Sequence, residues 1–173
     1  MKIFRRRYLF ICFISFFLIF TSCKNNSKSK SKKKTRTTKT SEIDPKIKLV
    51  VKTAKSHLGT KYKYGGTTSK GFDCSGLMCT SFKEAVTLPR TSNQQSNFGK
   101  SISKMTDLKV GDLVFFGNKP KSKKITHVGM VTLVSKTSIK FIHASTKSGV
   151  VESELFSNWY KPRYIKGSRP INP

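Results

Sequence analysis

A regular spacing of apolar residues predicts a helix at the start of the folded part of the chain. Asp44 suits the N-cap of this helix, Pro45 suits its first position, and Gly59 supplies a stop. The apolar residues fall on one face at helical spacing, which is typical of a helix that packs on a core. This face consists of Ile47, Val50, Val51, Ala54 and Leu58.

Two further helices are predicted downstream. Cys74 follows glycine-containing sequence and opens a segment, Leu77 to Val86, in which apolar residues again recur at helical spacing. A short third helix is predicted from Ser92, as its N-cap, to Phe98.

The second half of the chain has the pattern of β-strands. Short runs rich in β-branched and aromatic residues alternate with polar or glycine turns. A short helical turn is expected at Leu155 to Tyr160. Helices followed by consecutive strands predict an α+β fold, with N-terminal helices packed on an antiparallel β-sheet. The predicted strands are Leu113–Phe116, His127–Val134, Ile139–His143, Val150–Glu152 and Arg163–Lys166.

Residues 1–22 have the composition of an export signal. A basic end precedes the apolar run Tyr8 to Phe20, which is too short to span a bilayer comfortably, and small residues follow. Because Cys23 comes directly after them, the segment resembles the lipobox of bacterial lipoproteins, which implies lipidation of Cys23 and anchoring to a membrane. Phe20 departs from the usual leucine, so simple secretory cleavage is the alternative. Either outcome places the mature protein outside the cytoplasm.

Residues 23–40 follow as a tether, and residues 41–173 form the domain. Lys, Ser and Thr dominate the tether, which has no apolar residue after Cys23 to bury, so we expect disorder. Its lysines would lie near anionic lipid head groups if Cys23 is lipidated. A solvated spacer without a binding role is the alternative.

The net charge of the chain is +27, from 35 basic and eight acidic residues. Removing the four basic residues of the signal and the eight of the tether leaves 23 basic residues, and a charge of +15, in the domain. Its lysines are dispersed and not collected in a stripe with aromatic residues, so we do not expect nucleic-acid binding. An exported basic domain is better suited to acidic wall polymers or anionic lipid.

The cysteines do not predict a disulfide framework. Cys12 leaves with the signal and Cys23 carries the lipid, while Cys74 and Cys79 project in different directions from one helix. No cluster of cysteine and histidine has metal-ligand spacing, and we expect neither a metal nor a cofactor.

Cys74 is therefore a candidate nucleophile. At a helix N-terminus, free N–H groups and the helix dipole favour the thiolate, which is the reactive form of cysteine. The alternative is a small buried residue, since free cysteine packs as a hydrophobe.

Two histidines supply a candidate base and a group to orient it. His127 and His143 lie on consecutive predicted strands, which usually pair, so the two side chains are expected to be neighbours. We expect His127 to face the helix layer. His57, near the end of the first helix, is interpreted as a surface or capping residue. Apolar-flanked histidines also occur simply as core residues, which is the alternative for this pair.

Six segments, in order, resemble the NlpC/p60 cysteine peptidases of bacterial cell walls. The resemblance runs from about Lys46 to Tyr164, nearly all of the mature domain. The segments are Tyr62-x-Tyr64-Gly65-Gly66, Phe72-Asp73-Cys74-Ser75-Gly76-Leu77, Leu88-Pro89-Arg90-Thr91-Ser92, Gly111-Asp112-Leu113-Val114-Phe115-Phe116, His127-Val128-Gly129 and Ile142-His143-Ala144-Ser145.

The resemblance implies a papain-like fold and a catalytic triad. Cys74 would be the nucleophile, His127 the general base and His143 the orienting residue. Four further residues match family positions beside the nucleophile or in the substrate pocket, and each also has a structural interpretation, as a helix cap, a core aromatic or an ion-pair partner. They are Tyr62, Asp73, Ser75 and Arg90.

The implied function is a peptidoglycan endopeptidase of the bacterial cell envelope. Its partners would be the stem or cross-link peptides of the wall and, through the lipid on Cys23, a membrane. One alternative keeps the nucleophile but acts as an amidase or acyltransferase. Others are a non-catalytic basic lipoprotein that binds the wall, and a binder of other anionic polymers. The bond cut, the membrane leaflet, regulatory partners and the oligomeric state do not follow from the sequence.

Overall fold

A computed structural model of the protein describes residues 43–172. The predicted signal peptide (1–22), the lipidation site Cys23 and the tether (23–40) lie outside the described residues and stay predictions. No helix within the described range is both long and apolar enough to cross a bilayer.

The first helix, α1, spans Pro45–Lys55. Its N-cap is Asp44, as predicted, and the Asp44 carboxylate accepts a hydrogen bond from the Lys46 N–H at 2.7 Å. The helix ends three residues before Leu58, which is 47% exposed and does not join the core. A hydrogen bond from the Gly59 N–H to the Val150 carbonyl then turns the chain toward the sheet.

The second helix, α2, spans Cys74–Phe82, and the short α3 spans Ser92–Gln95. Asp73 caps α2 by accepting from the Gly76 N–H at 2.6 Å. The prediction of Ser92 as the N-cap of α3 is wrong by one residue. Thr91 has the extended conformation of a cap and accepts from the Gln94 N–H, while Ser92 is already helical.

Six strands form one antiparallel sheet and two short strands form a second. The small sheet pairs β1, Thr67–Thr68, with β2, Gly71–Phe72. The large sheet has the order β3-β8-β4-β5-β6-β7. Its strands are β3, Lys100–Ile102; β4, Leu113–Phe116; β5, His127–Val134; β6, Ile139–Ser145; β7, Gly149–Glu154; and β8, Tyr164–Arg169. The predicted α+β class is therefore confirmed.

The helical turn expected at Leu155 to Tyr160 is wrong. The Leu155 N–H instead bonds the carbonyl of Ile139 and extends the pairing of the sheet, and irregular turns follow. A single turn of 3-10 helix comes later, at Lys161–Arg163. The chain then enters β8, which lies between β3 and β4.

A buried ion pair fastens β8 to the turn before β4. The Arg169 guanidinium donates to both carboxylate oxygens of Asp112 at 2.7 Å, and the Asp112 side chain is 1% exposed. A two-point contact of this kind fixes the register of the two segments as well as their separation.

Hydrophobic side chains fill both faces of the large sheet. One core joins α1 and α2 to the sheet and includes Leu77, Val128 and Met130. The second core lies on the opposite face and includes Val131 and Phe141. Because Val128 faces the helices, the adjacent His127 lies on the other face. The expectation that His127 faces the helix layer is therefore wrong.

Close backbone contact holds α2 against the loop before it. A Cβ at Gly76 would overlap the carbonyl oxygen of Gly66, so only glycine fits at this helical position. That carbonyl also accepts from the Asp73 N–H at 3.0 Å. The contact sets where α2 begins, and with it the position of Cys74.

We expect Gly76→Ala to lower the free energy of unfolding by roughly 2 kcal/mol, because the added methyl group forces α2 away from the loop. Gly65→Ala is the matched control. Its Cβ meets no atom within 4 Å, and its φ of +72° costs only about 1 kcal/mol of local strain. Urea unfolding followed by circular dichroism measures both. Equal decreases in the free energy of unfolding of the two variants would show that the close contact at Gly76 does not contribute more to stability than local backbone strain.

Candidate active site

Cys74 is the first residue of α2 and is partly exposed. Backbone N–H groups near its sulfur lower the pKa of the thiol, and that of Val128 has the largest effect, followed by those of Ser75 and of Cys74 itself. The thiol therefore lies between the N-terminus of α2 and the start of β5. These N–H groups stabilise a negative charge on sulfur or on an oxygen next to it.

Burial nevertheless raises the pKa of the Cys74 thiol above its ordinary value. The N–H groups act in the opposite direction, and the neighbouring carboxylate of Asp73 adds to the increase. The N–H groups at the helix N-terminus thus favour the thiolate, as expected, but desolvation is the larger effect and keeps the pKa of the free protein's Cys74 above its ordinary value.

The structure brings His127 and His143 together on one face of the sheet. His127 is the first residue of β5, and His143 lies on the paired strand β6. The His127 Nε2 and His143 Nδ1 atoms are 2.9 Å apart, and the two rings are nearly perpendicular. One of these nitrogens donates and the other accepts, so the bond links the tautomers of the two rings.

Both imidazoles are neutral at neutral pH. Burial lowers the pKa of His127 to about 4. Burial, together with repulsion from His127, lowers the pKa of His143 to about 3. When the neutral His127 carries its proton on Nε2 and donates it to His143, its Nδ1 is free to accept a proton.

Two hydroxyl groups that the sequence did not indicate complete the surroundings of His143. Its Nε2 lies 3.0 Å from the Ser153 Oγ and 3.1 Å from the Tyr160 Oη. Ser153 is on β7, and Tyr160 packs edge-on against Phe141. Neither residue stands in a motif, since their approach depends on strand pairing and on the turns after β7.

Asp73, Ser75 and Arg90 form one connected network beside Cys74. The Arg90 guanidinium donates to both Asp73 oxygens, at 3.1 and 2.6 Å, and to the Ser75 Oγ at 2.9 Å. The Ser75 hydroxyl and the Gly65 N–H also donate to Asp73. Although burial alone would raise the pKa of Asp73, the hydrogen bonds from Arg90 and Gly76 lower it below its ordinary value. Asp73 is therefore an ionised carboxylate.

Tyr62 lies near Cys74, on the wall of the same cavity. A β-bridge pairs it with Phe72, two residues before the cysteine. Burial, followed by the charges of Cys74 and Asp73, raises the pKa of the Tyr62 hydroxyl, which is therefore protonated and able to donate.

Two cavities meet at Thr126, which lines both. One, of about 390 Å³, contains Cys74 and the Asp73 network, and the other, of about 510 Å³, contains His127 and His143. Within residues 43–172, no hydrogen bond joins Cys74 to His127. Such contacts in ligand-free active sites often become shorter when substrate binds.

The other candidate groups are separate from this cleft. Cys79 is a free cysteine whose sulfur lies 3.3 Å from the Pro89 carbonyl. The partly buried His57 packs against Phe72, with ring centroids 4.7 Å apart. Among the described residues, no three metal-ligating side chains cluster in a way that could hold an ion.

The chain is similar in sequence to proteins of one known family. The NlpC/P60 family matches residues 59–169. The probable endopeptidase NlpC homolog of Haemophilus influenzae is 40% identical over 114 residues, which are 65% of this chain and 56% of that protein. The murein DD-endopeptidase MepS/murein LD-carboxypeptidase of Escherichia coli is 37% identical over 116 residues, or 66% of this chain and 57% of that protein. The match thus spans little more than half the length of either relative.

A solved structure shows the same fold. The crystal structure of an NlpC/P60 family protein from Bacillus cereus superposes with a TM-score of 0.65 and 30% identity, covering 73% of this chain and 40% of that one. This likeness confirms the papain-like architecture that the sequence resemblance implied.

The buried histidines make the fold sensitive to acid. The unfolded chain takes up protons at the ordinary histidine pKa of 6.5, whereas the folded chain resists them down to about 4 at His127 and about 3 at His143. Stability is therefore complete above pH 6.5 and falls as the pH decreases toward these values. Between pH 7 and pH 5 we expect a loss of about 2 kcal/mol for each histidine in urea unfolding.

The variant His143→Gln tests the origin of this loss, because it removes one of the two groups. Its stability should fall about half as much over the same interval. Three carboxylates have lowered pKa values, because their hydrogen bonds outweigh the effect of burial, and they stay ionised in the folded protein between pH 7 and pH 5. They are Asp73, Glu152 and Glu154. Equal acid sensitivity in the variant and the wild type would contradict the assignment.

Proposed function

This chain belongs to the NlpC/P60 family, and from that membership we propose that it is a cysteine peptidase that hydrolyses peptide bonds in peptidoglycan. The observation that carries the proposal is the pair of neutral imidazoles, 2.9 Å apart, in a cleft that continues to a cysteine at a helix N-terminus. The relatives from Haemophilus influenzae and Escherichia coli, a probable endopeptidase and a murein endopeptidase, supply the substrate class.

The proposed reaction begins with attack of the Cys74 sulfur on a peptide carbonyl. His127 Nδ1 takes the thiol proton as the carbon–sulfur bond forms. The raised pKa of Cys74 and the lowered pKa of His127 disfavour a resting thiolate–imidazolium pair, and this transfer during attack does not require one. The resulting oxyanion is stabilised by the backbone N–H groups around Cys74. His127 returns the proton to the nitrogen as the carbon–nitrogen bond breaks. Water then hydrolyses the thioester and restores the thiol.

His143 is assigned the orienting role. When its Nδ1 accepts from His127 Nε2–H, its own proton lies on Nε2, which faces two hydroxyl oxygens, those of Ser153 and Tyr160. This arrangement holds His127 in the tautomer whose Nδ1 is free to act as the base. Ser153 and Tyr160 are thus positioning residues that act through His143.

The network beside Cys74 is assigned to substrate binding. Tyr62 can donate its hydroxyl proton toward the acyl side of the substrate, and the Arg90 side chain, 42% exposed, retains donors that face the cavity. Asp73 and Ser75 hold Arg90 in place while Asp73 also caps α2. In this proposal the structural and functional interpretations of these residues apply together.

The proposed location is the bacterial cell envelope, outside the cytoplasm. A peptidoglycan substrate requires it, and the predicted export signal is consistent with it. The +15 charge of residues 41–173 would attract an anionic wall polymer. Lipidation of Cys23 would anchor the protein to a membrane, with residues 23–40 as its tether.

Release of fragments from purified peptidoglycan tests the function. We expect the full chain to release peptides that mass spectrometry identifies, and Cys74→Ala and His127→Ala to lower the rate by at least about a thousandfold, because each removes a partner in proton transfer and attack. The masses would also identify the bond that is cut and so separate an endopeptidase from an amidase.

The matched control is Cys79→Ala, which removes the other free cysteine of α2 and should leave release unchanged. Equal release by Cys74→Ala would eliminate Cys74 as the nucleophile. Folded wild-type protein that binds the wall but releases nothing would favour a non-catalytic wall-binding lipoprotein.

The role of Tyr160 and Ser153 is tested by kinetics. We expect Tyr160→Phe and Ser153→Ala each to lower kcat about threefold to tenfold, and the double variant about a hundredfold, because His143 then loses both acceptors for its Nε2–H. Ser153→Ala should leave KM unchanged, since Ser153 lines neither of the two cavities. A change confined to KM, or a double variant no slower than the single ones, would contradict the positioning role.

A further inference from the structure

The larger of the two cavities lies on the histidine side of the cleft, and the assignments above leave most of its wall unused. It has a volume of about 510 Å³ and is lined by His127 and His143 but not by Cys74. Thr126 connects it to the cysteine-side cavity. A peptide that crosses the cleft at Thr126 would therefore occupy both cavities.

The outer wall of this cavity is aromatic and basic. Trp159 is 61% exposed, a large fraction for an apolar side chain of this size. The Arg163 guanidinium lies 3.7 Å from the centre of the Trp159 ring and donates to the Trp159 carbonyl at 2.8 Å. The stack holds the indole and the guanidinium in a defined orientation before any ligand arrives.

The charge of the wall has a single sign. Arg163 and the exposed Lys147 both line the cavity, and no aspartate or glutamate is among its lining residues. Two side-chain cations without a carboxylate among the lining residues favour an anionic ligand.

The reaction determines which part of a substrate reaches this wall. His127 gives its proton to the leaving nitrogen, so the amine-bearing portion must lie beside His127, on the side away from Cys74. That portion extends into the basic cavity. In a peptidoglycan peptide the residues on the amine side carry free carboxylates, which match the guanidinium and ammonium groups in charge.

We propose that this cavity is a specificity subsite that binds a free carboxylate on the amine side of the scissile bond. Arg163 and Lys147 bind the carboxylate, and the Trp159 ring supports the adjoining apolar atoms. The inference rests on the proposed peptidase function for its substrate, and it adds a preference for carboxylate over carboxamide at this position. Amidation of that group in the cell wall would therefore protect the bond from this enzyme.

The chain offers a direct optical probe, because Trp159 is its only tryptophan. The experiment uses the full chain carrying Cys74→Ala, which prevents turnover. The ligand is a short stem-peptide fragment with a free amino end, prepared with free carboxylates and, separately, as the carboxamide. Tryptophan fluorescence and calorimetry follow binding of each form.

We expect the carboxylate form to bind at least about tenfold more tightly than the carboxamide, since a charge-assisted contact of this kind is worth about 1.4 kcal/mol or more. Arg163→Gln and Lys147→Gln should each remove most of this preference. Lys136→Gln is the matched control, because Lys136 lies beyond the opposite end of β5 and does not line the cavity, and it should retain the preference. The exposed position of Lys147 makes its variant informative even if Arg163→Gln does not fold.

Equal affinity for the two forms, absence of binding by both methods, or an unchanged preference in both cavity variants would overturn the subsite. The binding experiment and the wall-digestion experiment test the subsite and the peptidase function independently. A carboxylate preference in a protein that releases no wall fragments would contradict the peptidase function while supporting the subsite. Fragment release together with equal binding of the two forms would contradict the subsite alone.

Discussion

The carboxylate of Asp73 is the contact on which the arrangement around Cys74 depends. It caps α2, accepts from the loop at Gly65 and holds the Arg90 guanidinium by two hydrogen bonds. A buried charge with this many donors is stable only if all of its partners stay in place. The helix, the loop before it and the arginine after it are therefore fixed relative to one another. Cys74 adjoins this carboxylate in sequence and acquires its position from it.

The sheet separates the two halves of the candidate site. Cys74 approaches from the helix side, where Val128 and Met130 belong to the first core. His127 and His143 lie on the opposite face, above the aromatic residues of the second core. Thr126, directly before β5, lines the cavities of both sides. The reacting groups can thus differ in environment within a short distance, since the thiol contacts backbone N–H groups and the imidazoles contact aromatic rings.

The sequence predicted the elements whose signals are local. Strands β4 and β5 have the predicted bounds, because their apolar runs are bounded by clear turn residues. Strand β3, with the sequence Lys-Ser-Ile, was missed because it is mostly exposed and its pairing with β8 is non-local. The pairing of His127 with His143 could be expected from consecutive strands. Ser153 and Tyr160 could not, since tertiary contacts alone bring them to His143.

The place of β8 in the sheet determines when the large sheet can assemble. This strand follows the other seven in the chain, yet it lies between β3 and β4 and is held there by Arg169 and Asp112. The sheet cannot close around its second core until residues 164–169 have been synthesised. A partly made chain therefore lacks the neighbour that β3 and β4 require. Assembly of the sheet therefore depends on contacts between segments that are far apart in the chain, and the face that carries His127 and His143 is completed only when residues 164–169 are in place.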